Sequence, residues 1–191
     1  IGFFLCSRMS LYGQDQKLAD SLALIYGKGN LADSARMQLL RDLAFNEQND
    51  LNLALKYSEE LISLSAKLGN NLYLSRGYLQ KGNKERLMGN LEKALDAYFK
   101  SADAANKANF IKGVGTAYST IADVYSISGN HANAMLYYRK AISTLRQSDD
   151  SVSLGSAIIN AGDEFLNKKY YDSALLYFNE SQIIFDKTNY L

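Results

Sequence analysis

The chain has 191 residues, 47% hydrophobic and 21% charged with no proline, a globular composition that excludes collagen-like and proline-rich disordered proteins. Basic and acidic residues number 21 and 20, and a net charge of +1 is too even to hold a nucleic-acid backbone or an anionic membrane by charge alone. One cysteine and one histidine exclude an internal disulfide and the multi-cysteine or histidine-rich metal sites, and no run reaches the roughly 20 apolar residues of a spanning helix.

The first six residues, Ile1 to Cys6, are apolar and have two readings. One is the tail of a secretory signal peptide cleaved near Gly13-Gln14, so that residues 1–14 are a remnant of it. The other is an ordinary segment packed on the first helix; Arg8 and the bulky Tyr12 weaken the cleavage site. Leu5 stands where a lipidation motif wants a small residue, so Cys6 reads as a small hydrophobe. A short helix over about 16–26 then opens a single domain that runs over 15–191.

From there a beat of forty residues governs the chain. Ala54-Leu55, Ala94-Leu95, Ala134-Met135 and Ala174-Leu175 fall in register. Four positions on stand Tyr98, Tyr138 and Phe178, and twelve before the alanine stand Gly82, Ala122 and Gly162. Turn formers return at Gly69, Asn109, Asp149 and Asn189. A second set divides each block at Asn49-Asp50, Gly89-Asn90, Gly129-Asn130 and, more weakly, Lys169-Tyr170. Between turns the apolar residues step by three and four, as in Leu91, Ala94, Leu95, Tyr98 and Ala102. The spacing predicts helix pairs 31–48 with 50–68, 71–88 with 91–108, 111–128 with 131–147, and 151–168 with 171–187. They belong to units of about 31–69, 70–109, 110–149 and 150–189, with Asp50, Asn90 and Asn130 as N-caps.

Gly82, Ala122 and Gly162 let the second helix of a pair approach the first, and Ala94, Ala134 and Ala174 do so from the other side. The aromatic fills the space between one pair and the next. This arrangement resembles the tetratricopeptide repeat, most closely in Ala122-Asp123-Val124-Tyr125, Gly129-Asn130, Ala134, Tyr138 and Ala141. Phe165, Ala174 and Phe178 repeat it in the last unit, and Gly82, Gly89-Asn90, Ala94 and Tyr98 in the second. The resemblance implies an all-α, right-handed superhelical solenoid of antiparallel helix pairs. A period of forty against the family's thirty-four implies longer helices. Glu85, where the family has an aromatic, implies looser packing in the second unit.

The last helix carries Leu175, Leu176, Phe178, Ile183, Ile184 and Phe185, although a terminal repeat needs a polar outer face. The expectation is a longer natural protein continuing beyond residue 191, or self-association through this helix. The opening segment, with Ala19-Asp20-Ser21-Leu22, Asp33-Ser34-Ala35-Arg36, Leu39-Leu40 and the run Ala54 to Ile62, resembles a further group. This group is the extracytoplasmic repeat region of bacterial signalling proteins with a histidine kinase, nucleotide cyclase or DNA-binding output. It implies an extracytoplasmic or periplasmic location, the alternative being cytoplasmic, with a membrane reached only through a segment outside this chain.

Catalytic chemistry finds little support. His131 has no second histidine and reads as a solvent-facing residue at a helix start. Gly113-Val114-Gly115 lacks the Lys-Ser/Thr of a phosphate-binding loop. The 14 tyrosines return at packing positions, which speaks against a stacking surface for nucleic acid. No enzyme activity, metal or cofactor is expected. Stacked helix pairs instead offer a concave face lined by the first helix of each pair. Its candidate ligand residues are Arg36, Arg76, Gln80, Asn83 and Arg86, then Thr116, Thr120 and Asp123, then Ser156, Asn160 and Asp163. None of them is needed for the packing just described. They grade from cationic (Arg36, Arg76, Arg86) to anionic (Asp123, Asp163), which suits a protein partner or extended peptide. Leu79 precedes Asn83 where the family's chaperone-binding members require a lysine, so that carboxylate clamp is not expected. The two functional readings are a non-catalytic sensing or assembly module of a longer signalling protein and a structural oligomerisation scaffold.

Overall fold

The computed structural model describes residues 15–187. Among them are nine helices and no strand: α1 (Gln16–Lys28), α2 (Asp33–Asn46), α3 (Leu51–Lys67), α4 (Asn71–Leu87), α5 (Leu91–Lys107), α6 (Ile111–Ile127), α7 (His131–Leu145), α8 (Ser151–Asn167) and α9 (Tyr171–Lys187). Every expected helix is present, with its ends within two residues of the expected positions. The proposed turn at Asn189 and the reading of residues 1–14 lie outside the described residues.

One device repeats at most of the turns. A left-handed residue ends one helix, and the next residue donates its N–H five residues back while starting the following helix. Gly69 has φ 65°, and Asn70 N–H reaches the Ser65 carbonyl at 2.9 Å. The same bond joins Asn90 to Glu85, Phe110 to Ala105, Asn130 to Tyr125 and Tyr170 to Phe165. This Schellman closure satisfies the carbonyls at a helix end and leaves no slack before the next helix. Asp50, Asn70, Asn130 and Asp150 cap through their side chains. Asn90 does not; its amide donates instead to Glu85 Oε2 at 2.8 Å. Glu85, the residue expected to loosen the second unit, is thereby bonded and buried.

Helices pair as expected, α4 with α5, α6 with α7 and α8 with α9, and each pair packs on the next. The even-numbered helices also touch in series, α2 to α4 to α6 to α8, so they line one side of the stack. Ala94, Ala134 and Ala174 are buried, as their role in close approach requires. The ring position does more than fill the gap between pairs. A Cβ on Gly82 would lie 2.5 Å from the Tyr98 ring, and one on Gly162 2.7 Å from the Phe178 ring, so each ring rests on the small residue of its own pair. Tyr98 also joins Ile121 and Val124 of the next unit in one apolar cluster.

The first unit departs from the beat. α2 has 14 residues against 17 in α4, and it ends in an extended residue, Glu47, without a left-handed closure. Its C-terminal carbonyl, that of Glu47, accepts from Lys84 Nζ at 2.9 Å. Lys84 is buried and desolvation lowers its pKa, but its ammonium stands at the negative end of the α2 dipole, with Glu47 favouring the charge.

Candidate functional site

The even-numbered helices enclose a groove of about 530 Å³, a size that suits a bound segment. α2 contributes Arg41, Asp42 and Phe45; α4 contributes Arg76, Leu79 and Gln80; α6 contributes Lys112, Gly113 and Thr116. Phe110, at the start of α6, and Ser153 of α8 complete the wall.

Two of the three cations are already paired. Arg41 bonds Asp42, with Nε to Oδ1 at 2.9 Å. Lys112 Nζ lies 2.7 Å from Asp150 Oδ2. Burial opposes ionisation of Asp150, yet Lys112 and the Ser153 hydroxyl and N–H outweigh it and hold the carboxyl below its ordinary value. Arg76 has no carboxylate among the described residues. Its guanidinium carbon lies 5.3 Å from the Tyr73 ring centre and 5.6 Å from that of Phe110. Phe110 itself rests on Gly113, where a Cβ would come within 2.3 Å of the ring. Gly113 thus lets Phe110 sit low enough to hold Arg76. Gln80, 8% exposed, has its carbonyl Oε1 buried with no donor.

Of the expected site residues, Arg76, Gln80 and Thr116 line this groove. Arg36 does not. It lies on the α1 side, 3.8 Å from Glu60, beside a depression lined by Tyr26. Arg41, thirty-five residues ahead of Arg76, takes its place, the groove running obliquely across the helices so that it meets α2 nearer its C-terminus than it meets α4.

The expectation that none of the candidates is needed for packing fails for Asn83, Asp123 and Asn160. Tyr98 donates its hydroxyl to Asn83 Oδ1 at 2.8 Å. Asp123 Oδ1 accepts from Tyr138 at 2.7 Å and from Asn160 Nδ2 at 3.1 Å, joining α6, α7 and α8. Burial raises the Asp123 carboxyl, against Tyr138, the Arg86 charge and Asn160. Burial likewise pushes the Tyr98 hydroxyl up to about 12, with Arg86 opposing. Arg86 therefore serves this network, its Nε buried and without an acceptor. The hydroxyls of Thr120 and Ser156 turn back on their own helices, to Ala117 and Val152 carbonyls. Asp163 is exposed; partial desolvation and then Glu164 raise its carboxyl.

His131 is not merely a solvent-facing residue. Its Nδ1 lies 2.6 Å from Oε2 of the buried Glu164, whose other oxygen accepts from Ser126. The carboxylate sits between serine and imidazole, so the imidazole does not reach the hydroxyl as a base would need to. Among the described residues no cluster of His, Cys, Asp and Glu is placed to hold a metal, and no helix is long and apolar enough to cross a membrane.

Arg41, Phe45, Phe110 and Lys112 escaped the sequence reading. Arg41 with Phe45, and Lys112 with Thr116, do step by four along their helices, but nothing local shows which stripe faces the groove.

Residues 115–144 match the tetratricopeptide repeat family. No curated protein sequence matches the chain. Solved structures share its architecture at low identity. RapI in its apo form superposes with a TM-score of 0.77 at 13% identity, over 89% of this chain and 64% of that one. BtubC from P. vanneervenii gives 0.70 at 14%, over 91% and 73%. A signal transduction ATPase with a tetratricopeptide repeat sensor, from Pyrococcus horikoshii, gives 0.71 at 17%, over 89% and 26%. The third unit thus resembles a tetratricopeptide repeat, and the chain folds as an all-α solenoid of that type.

Proposed function

We propose that this tetratricopeptide-type solenoid is a non-catalytic module that binds a segment of a partner protein in the groove between α2, α4, α6 and α8. The observation that carries the reading is Arg76, a groove cation with no carboxylate among the described residues, held over the Tyr73 and Phe110 rings. A guanidinium held on ring faces keeps its edge donors free for an acceptor on the occupant. The rest of the wall mixes apolar rings with charge, as segment-binding grooves do.

Panning a random peptide library on the immobilised chain tests this. Binders are expected, and Thr116→Trp, which fills the groove whatever the ligand's charge, abolishes their capture. Equal capture by both proteins places binding elsewhere and defeats the proposal.

The module is read further as the sensing or assembly part of a longer signalling protein, lying outside the cytoplasm. Support for this comes from the opening segment's resemblance to extracytoplasmic repeat regions. The repeat sensor of the Pyrococcus horikoshii ATPase offers a fold-level parallel. Protease digestion of intact spheroplasts expressing the full-length protein tests the location; protection of this region defeats it.

A second reading, an oligomerisation scaffold, draws on α9, where Leu175, Leu176 and Ile183 are each more than half exposed. Sedimentation of the chain and of Leu176→Glu separates the two readings. A dimer lost in the variant favours the scaffold.

A further inference from the structure

We infer that the groove reads an internal acidic side chain of its partner through Arg76. This rests on the groove being a protein-binding site and specifies what it selects. Four cations and acids nearby are consumed: Arg41 by Asp42, and Lys112 by Asp150. Arg76 alone among the groove's cations has no carboxylate within the described residues, and it is held by ring faces instead of by an anion. A guanidinium stacked this way keeps its edge donors available and its position fixed, so little freedom is lost when a carboxylate docks.

Phe45, Leu79 and Phe110 around Arg76 provide a dry setting for a flanking apolar side chain, in which a charge-assisted bond is strengthened.

The test uses arrayed nonapeptides of random sequence, each made with an amidated and with a free C terminus, read against the whole chain by fluorescence. The binders should be enriched in Asp or Glu at one position. Changing that acid to its amide should weaken wild-type binding about tenfold or more, and should change little in Arg76→Gln, as a coupled pair requires. Arg76→Lys keeps the charge but not the fork and should lose less than Arg76→Gln. Binders without acidic preference, or binding only by peptides with a free terminal carboxylate, overturn this inference and leave the groove reading standing. An absence of any binder overturns both.

Discussion

The hydroxyl of Tyr138 donates to Asp123 Oδ1 at 2.7 Å, and fifteen residues likewise separate Tyr98 from Asn83, joined at 2.8 Å. The third member of the series is Phe178, which has no hydroxyl, and its counterpart Asp163 is exposed. The phenol and its acceptor are thus a unit: where the hydroxyl is missing, the polar group at the matching position faces water. Buried polar groups keep their partners because an unmade bond costs more than a made one gains.

Tyr138→Phe is expected to lower unfolding free energy by about 1–3 kcal/mol, the range for depriving a buried acceptor of its donor. Urea denaturation at neutral pH measures it. Phe178→Tyr makes the reciprocal change and should gain at most about 1 kcal/mol, since Asp163 is already hydrated. A null result in Tyr138→Phe would show that Asn160 alone satisfies the carboxylate.

Asp123 also sets a pH dependence. Burial, opposed by Tyr138, Arg86 and Asn160, holds its folded-state carboxyl above the ordinary value. The folded chain then keeps a proton at a pH where the unfolded chain has released one. Stability from this group is fully present below the ordinary carboxyl value of about 4 and is lost as pH rises through the raised folded-state pKa. Asp123→Asn retains an acceptor for Tyr138 and should flatten that decline. Unfolding free energies of both proteins between about pH 4 and 7 give the comparison, and parallel curves would contradict it.

Two glycines should respond in opposite directions. Gly82→Ala puts a methyl 2.5 Å from the Tyr98 ring at the centre of a pair, and overpacking there costs about 1–3 kcal/mol. Gly27, in the last turn of α1, has open space around its Cα. Gly27→Ala should stabilise α1 by about 0.5–1 kcal/mol through the lost freedom of the unfolded chain. Thermal melts of the pair, together with amide exchange in α1, check both signs.

Lys84 offers a test of how the first unit is anchored. Lys84→Met keeps the buried stem but removes the ammonium from the Glu47 carbonyl, and amide exchange in the last turn of α2 should accelerate. Global stability should change by less than about 1.5 kcal/mol, because the cost of burying a charge disappears with the charge. Lys84→Ala empties the stem's volume as well and should cost about 2–5 kcal/mol.

The sequence by itself determined the helices, their pairing and the small and aromatic joints. Periodicity, caps and turn residues are local signals, and forty-residue repetition multiplies each of them. The match of Gly82 to Tyr98 could be anticipated because both lie in one hairpin with a short, closed turn. What the tertiary structure decided was which polar residues are free. Asp123 and Asn160 sit on the helix stripe that also carries Gln80, in sequence no different from ligand-binding residues, yet α7 and α8 close over them. The forty-residue beat puts Arg36 in line with Arg76, yet Arg41 occupies the groove instead. Helix formation depends on neighbours within a turn or two, whereas a side chain's partner depends on the rotation between one pair and the next. That rotation is set by packing across whole layers, and no short stretch of sequence encodes it.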